Sequence, residues 1–447
     1  MVEFEERGHV ASHTALGKLL RLAVLSLVAG RVLAADEIHW TIIGQSAVSF
    51  DWRGPNSENV IRYGLSSGNL TSSATAITHS PLPNSSPGPF WEARLTGLQA
   101  NTTYWYQIGS ATESTFRTPP PRGTSDYWIA AEADLGIGAD NSAHTVPIIQ
   151  QQIASDNVNL PGDDRPRFVL AAGDLTYGDT HGAAAVDTHF NEVMVWSKWS
   201  AYMPGWGNHE DGGVTDDRQN YEGRFDLPNS QDVPVPPPAG GPADEWMWWD
   251  YGNVRYLTYP EPFSGAWADW QAKADVIMAA AQNDAAINFI ITYGHRPPFS
   301  SGADHGSESI ASNIRALHAK YSKYVLNIAG HSHHYERSDP VQSDGVVEIV
   351  TGGGGYYLGG LASPQPSWSA FRMNRLQHTR LHVLPDRIEI YAICGPKGAD
   401  GAAEEIVCPR GAASDQPGAV FDQVTIRTTA GDPPPSAPMG LVRTDRH

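Results

Sequence analysis

The sequence predicts two unlike domains in series, an all-β sandwich and a larger α/β (α+β) domain, on three observations. From about Ile38 to Thr118, apolar and polar residues alternate in short runs separated by turn residues, the two-residue period of half-buried strands. From Tyr127 onward, short apolar runs alternate with longer stretches of helical spacing, as strands do when helices connect them. Between the two lies Thr118-Pro119-Pro120-Pro121-Arg122-Gly123-Thr124-Ser125, a stiff proline-rich linker. The expected divisions are an export signal over 1–35, the sandwich over 36–118, a linker over 119–126, the α/β domain over 127–428 and a disordered tail over 429–447.

Near the start, Lys18 and Arg21 flank an apolar run that continues from Leu22 to Gly30, with small residues at Ala34 and Ala35 suited to cleavage. The run is short for a membrane span. The chain is therefore expected to be secreted, extracellular or periplasmic, without stable membrane association; an uncleaved anchor is the alternative.

In the first domain, Ala47 to Trp52 and Thr103 to Ile108 carry the clearest alternation, and Leu98 to Tyr104 resembles the tyrosine corner of an immunoglobulin-like or fibronectin type III sandwich. Asn69, Asn84 and Asn101 begin Asn-x-Ser/Thr sequons, which are either chance matches or glycan acceptors. No cluster of catalytic residue types is visible, so this domain is read as a scaffold.

The second domain holds five apolar runs that each end in potential metal ligands. Tyr127 to Ala131 leads to Asp134, and Phe168 to Ala172 leads to Gly173, Asp174 and Tyr177. Ala201 to Met203 leads to Asn208 and His209, Ile287 to Thr292 to His295, and Val325 to Ala329 to His331 and His333. Ligands bind beyond the carboxyl ends of strands in open α/β sheets, so the five runs are expected to deliver these side chains to one rim.

Helices are expected over His144 to Ala154, Ala183 to Tyr202, Trp267 to Asn283 and Ser307 to Tyr324. Gln231 to Pro242, with Pro234, Pro236, Pro237 and Pro238 inside it, reads as a surface loop. Trp246, Trp248 and Trp249 read as strand and pocket-wall packing. Gly352 to Gly355 follows the strand Val346 to Val350 and is either a turn or backbone lining the site. Thr379 to Val383 and Arg387 to Ala392 are expected to form a hairpin closing the sheet. His13, His181 and His189 lie outside any ligand block and are read as solvated.

A formal net charge of -19 excludes nucleic acid as a partner. It also poses a problem for an anionic substrate that multivalent cations would solve locally. The only cysteines, Cys394 and Cys408, fit a short-loop disulfide in an exported chain, two free thiols being the alternative. With no thiolate at the rim, iron–sulfur and blue-copper chemistry are excluded. A tyrosine ligand must lose a proton with a reference pKa of about 10, which a ferric ion would enforce. If Asp174 bridges, the donors can fill two metal positions, and a two-metal site suits hydrolysis of a phosphate ester.

Asp134-Leu135-Gly136, Gly173-Asp174-Leu175-Thr176-Tyr177, Gly207-Asn208-His209-Glu210, Gly294-His295-Arg296-Pro297 and the block Gly330 to Arg337 together resemble the purple acid phosphatases, a branch of the calcineurin-like metallophosphoesterases. Ala133 stands where that family usually has Gly, and Ser332 where an apolar residue is commoner. The resemblance implies a β-sandwich flanked by helices behind the fibronectin-like domain. It implies a ferric ion on Asp134, Asp174, Tyr177 and His333, and a divalent ion (iron, zinc or manganese) on Asp174, Asn208, His295 and His331. His333 is favoured over its neighbour His334 on the family's spacing. His209 and His305 match two non-ligand histidines that contact the phosphoryl group. The implied activity is acid hydrolysis of small phosphomonoesters by a metal-bound hydroxide. A phosphodiesterase or nucleotide pyrophosphatase is the first alternative, and a silent phosphate-binding protein the second.

Overall fold

The computed structural model describes residues 34–139, 145–159, 166–210, 217–228, 246–261, 267–343, 345–398, 403–405 and 407–427. The expected export signal up to residue 33, His13, the loop Gln231 to Pro242 and the expected C-terminal tail lie outside the described residues.

The first domain contains β1 (Asp36–Gly44), β2 (Ala47–Arg53), β3 (Val60–Gly64), β4 (Ser72–Thr75), β5 (Ile77–Thr78), β6 (Phe90–Leu95), β7 (Thr103–Ile108) and β8 (Ser114–Arg117). They form two antiparallel sheets, ordered β1-β2-β6-β5 and β4-β3-β7-β8. Aromatic rings fill the space between them: Phe50 lies 4.6 Å from Tyr106 and 5.2 Å from Phe116, centroid to centroid. Tyr104 closes the expected corner, its hydroxyl accepting the Gln99 main-chain N–H at 3.0 Å. Asn69, Asn84 and Asn101 are exposed.

Alternation in Ala47 to Trp52 suggests a half-buried strand, yet β1 and β2 are buried along almost their whole length. The reason is the second domain, which covers their outer face. Ser197 donates to the Ile38 carbonyl at 2.8 Å, a His39 ring nitrogen lies 2.6 Å from the Arg224 carbonyl, and the buried Arg224 donates to Glu37 at 2.9 Å.

The second domain begins with β9 (Tyr127–Glu132), α1 (Thr145–Asn159), β10 (Pro166–Ala172), α2 (Gly178–His181), α3 (Ala184–Ser197), β11 (Ala201–Gly205) and α4 (Asp217–Glu222). It continues through β12 (Trp248–Tyr251), β13 (Val254–Thr258), α5 (Trp267–Gln282), β14 (Phe289–Tyr293), α6 (Ala311–His318) and β15 (Tyr324–Ala329). It ends with β16 (Tyr335–Ser338), β17 (Glu348–Thr351), β18 (Ser369–Met373), β19 (Gln377–Val383), β20 (Arg387–Cys394) and β21 (Val420–Arg427).

Two mixed sheets result, ordered β11-β10-β9-β19-β20-β21 and β12-β13-β14-β15-β17-β16-β18. They pack face to face through aromatic rings: Phe168 of β10 lies 5.1 Å from Tyr251 and 5.2 Å from Tyr256. On the outer face of the second sheet, Trp270, Ile277 and Met278 of α5 and Ile314 and Leu317 of α6 bury against Leu257, Ile290 and Tyr324. The five ligand-bearing runs therefore belong to two sheets, β9, β10 and β11 to one and β14 and β15 to the other.

Several sequence expectations need correction. The helix expected to reach Tyr202 ends at Ser197, because Ala201 already pairs with Phe168 in the sheet. The helix expected over Ser307 to Tyr324 shortens to α6, since Tyr324 enters β15. The β19–β20 hairpin forms but closes nothing: β19 pairs with β9, and β20 is covered by β21. His189 is fully buried rather than solvated, one ring nitrogen 3.1 Å from the Gly136 carbonyl and the other 2.9 Å from the Tyr202 hydroxyl. His181 is exposed at the end of α2. Trp246 and Trp249 are buried, and Trp248 packs under the Arg255 guanidinium, 4.3 Å from its ring centre. Cys394 and Cys408 are joined by a disulfide.

Candidate metal centre

Three of the five ligand-bearing loops, those after β9, β10 and β15, leave their strands through left-handed residues. Asp134, Asp174, Tyr177 and His331 have φ of 58°, 52°, 52° and 67°, left-handed values that non-glycine residues seldom adopt. Such backbone costs on the order of 1–3 kcal/mol per residue and persists where surroundings enforce it. Here the loops bind one another: the Asp134 N–H donates to the Gly173 carbonyl at 3.1 Å, Leu135 to Asp174 at 2.9 Å and Gly330 to His295 at 2.9 Å. Glu210 ties two loops together by accepting the N–H groups of Asp174 (2.8 Å), Leu175 (2.7 Å) and Gly207 (2.6 Å).

The side chains converge in two overlapping groups. In one, His295 Nε2 lies 3.1 Å from Asp174 Oδ2 and 3.2 Å from His331 Nδ1. In the other, Tyr177 Oη lies 3.3 Å from both Asp134 Oδ1 and His333 Nε2, which are 3.4 Å apart. One donor atom from each of Asp174, His295 and His331 fits within 4.8 Å, and so does the set Asp134, Asp174 and His333. Asp174 belongs to both. Asn208 sits between Gly207, where an added Cβ would meet Asp174 Oδ1 at 2.2 Å, and His209, whose N–H donates to that oxygen at 3.0 Å.

The donor chemistry fits cations. Asn208 Oδ1 is buried with no hydrogen-bond partner, an acceptor that an ion would satisfy. His295 Nδ1 faces the Ala172 carbonyl at 3.0 Å, which fixes the proton there and leaves Nε2 open as a ligand. Burial, then Asp134 and Asp174, push the Tyr177 phenol well above its ordinary range, so a phenolate there requires a strongly charged ion. Burial disfavours the His295 imidazolium, but Asp174 beside it raises its pKa to about 10; a cation would compete for the place of that proton.

His209 and His305 flank the donors. His209 Nδ1 is 2.9 Å from Asp179 and its Nε2 is 3.9 Å from Asp174 Oδ2. Burial opposes its protonation, but the bond to Asp179 and the nearby carboxylates outweigh burial and raise its pKa. The His305 ring stacks on His331 at 3.8 Å. His334 is buried elsewhere, 3.2 Å from Glu336, which leaves His333 as the ring at the centre.

Sequence reasoning missed several contributors. Asp179 lies two residues beyond Tyr177, a spacing that could have flagged it. Arg296, bound to Glu261 at 2.5 Å and Glu308 at 3.1 Å, reaches His331 Nε2 at 3.2 Å. The glycine run, for which the sequence left both a turn and a lining of the site open, lines it: a Cβ on Gly352 would meet the Ser332 carbonyl at 2.0 Å and Asp134 Oδ2 at 2.8 Å. Tyr356, directly after that run, stacks on Tyr177 at 3.7 Å.

Three family models match the chain: purple acid phosphatase N-terminal domain over residues 35–122, calcineurin-like phosphoesterase over 127–335, and iron/zinc purple acid phosphatase-like protein C over 345–386. Human acid phosphatase type 7 is 27% identical over 65% of this chain and 70% of its own length. A nucleotide pyrophosphatase/phosphodiesterase of Hordeum vulgare is 26% identical over 60% of this chain and 79% of its own. The structure of purple acid phosphatase PPD1 from yellow lupin seeds shares the fold, with a TM-score of 0.63 at 19% identity, covering 88% of this chain and 74% of that one.

Proposed function

The chain belongs to the purple acid phosphatase branch of the calcineurin-like phosphoesterases, and on that premise we propose that it is a secreted acid phosphatase acting on small phosphomonoesters through two metal ions. The observation that carries this reading is the membership of Asp174 in both donor groups. Asp134, Asp174, Tyr177 and His333 would hold a ferric ion, and Asp174, Asn208, His295 and His331 a divalent ion, either iron, zinc or manganese. When bound, such a pair supplies an activated water and positive charge against the phosphoryl oxygens.

The protein's own groups account for the remaining steps. His295 is held in one tautomer by the Ala172 carbonyl, and His209 in one orientation by Asp179. His209 and His305 donate hydrogen bonds to phosphoryl oxygens, and one of them returns a proton to the departing alkoxide. Tyr356 and the glycine run keep solvent from Tyr177, which is fully buried. Export is supported by the basic-flanked apolar run near the start and by the Cys394–Cys408 disulfide.

A phosphodiesterase or nucleotide pyrophosphatase reading is favoured by the name of the barley relative. Rates on p-nitrophenyl phosphate and bis(p-nitrophenyl) phosphate separate the two. Faster turnover of the monoester is expected; faster turnover of the diester would replace the phosphatase reading with the alternative.

A further inference from the structure

A second group of metal-type side chains lies in the first domain, and none of its members belongs to the centre described above. Asp51 on β2 and Glu92 on β6 are direct cross-strand partners, and both are buried, 2% and 8% exposed. Like charges directly opposite destabilise a strand pair unless something neutralises them. His79, one residue beyond β5, brings its Nε2 to 2.9 Å from Glu92 Oε2 and 3.9 Å from Asp51 Oδ1. One donor atom from each of the three lies within 4.8 Å of the others.

The surrounding charges leave this group short of positive charge. Asp226 adds a third carboxylate, and the nearby Arg94 is engaged with it at 2.6 Å and with Glu92 Oε1 at 3.3 Å. The Asp226 main-chain N–H faces the Asp51 carboxylate, yet neither Asp51 oxygen completes a hydrogen bond. A buried carboxylate aimed at an imidazole and a second carboxylate, and itself unsatisfied, is an incomplete coordination sphere. Burial, then Glu92 and Asp226, push the Asp51 carboxyl well above the usual range, so without a cation it would keep a proton.

We propose that Asp51, His79 and Glu92 hold a third ion, a single zinc-class divalent cation completed by water, which staples β2 to β6 beside the contact with the second domain. Imidazole with carboxylates suits zinc, whereas calcium and magnesium take oxygen donors. The ion would replace two like charges on paired strands with a neutralised cross-link.

The test uses the full chain, saturated with zinc alone, desalted and analysed for metal per chain, together with the Asp51→Asn and Glu92→Gln variants. Asn mimics a protonated Asp51 in shape, so it separates ion binding from simple protonation. The expected result is one ion fewer per chain in each variant, with phosphomonoester turnover within about twofold of the wild type. A zinc-induced rise in melting temperature should also be smaller in the variants. Equal metal content in the wild type and both variants would overturn the proposal, as would a saturated wild type retaining no more than two ions.

Discussion

His209 Nδ1 lies 2.9 Å from each carboxylate oxygen of Asp179. A ring held this way presents Nε2 toward Asp174 and cannot rotate without losing a charge-assisted bond. Asp179 therefore acts as a positioning residue for His209. Asp179→Asn should lower kcat on a poor leaving group by about tenfold or more. Metal content should stay unchanged, because Asp179 is not among the donors. Steady-state kinetics with metal analysis of the same sample checks this; a loss of metal parallel to the loss of rate would mean a structural role instead.

Tyr177 offers a spectroscopic handle. Its hydroxyl is 3.3 Å from both Asp134 and His333, inside the donor group proposed for the ferric ion. Tyr177→Phe should abolish a visible phenolate-to-iron absorption band while the chain stays folded by far-UV circular dichroism. An unchanged visible spectrum would remove the phenolate from the centre.

Stability should fall with acid through His189. Its neutral ring is satisfied, with Nδ1 donating to Gly136 and Nε2 accepting from Tyr202. Burial lowers its pKa from 6.5 to about 4. Because the folded value is depressed, the unfolded chain takes up the proton first. The stability present at neutral pH is lost as pH drops through that window, about 2 kcal/mol by pH 5. Urea denaturation at pH 7 and pH 5 measures the loss, and His189→Gln should shrink the difference between the two pH values.

The disulfide links two fully buried cysteines across a sequence separation of 14 residues. A loop of that size stabilises a fold by about 3 kcal/mol. Replacing both cysteines with Ala should lower the denaturation midpoint correspondingly and leave turnover close to the wild-type value, since neither residue touches the metal centre. Equal midpoints would show that the link adds no stability.

The centre was legible in sequence to the extent that it was local. An apolar run ending in Gly and then Asp, Asn or His announces a strand end carrying a ligand; Asp174, Asn208, His295 and His331 follow that form, and Asp134 follows it with Ala133 in place of the Gly. Tyr104 was legible for the same reason, since its corner closes over five residues. What was hidden depends on distant partners. The burial of His189 comes from Tyr202 and the Gly136 loop, and the double-sided burial of β1 comes from the second domain. Tyr356 meets Tyr177 only because the glycine run lets backbone pass against Asp134. Asp51, His79 and Glu92 are separated in the chain, and the β2–β6 and β5–β6 registers bring them together.

The central claim is that one carboxylate serves two ions, and metal stoichiometry of wild type against Asp174→Asn tests it most directly. Purified under identical conditions, the variant should carry two ions fewer per chain than the wild type and lose phosphomonoesterase activity. A difference of one ion or none, with both chains folded, would contradict a centre built around a shared Asp174.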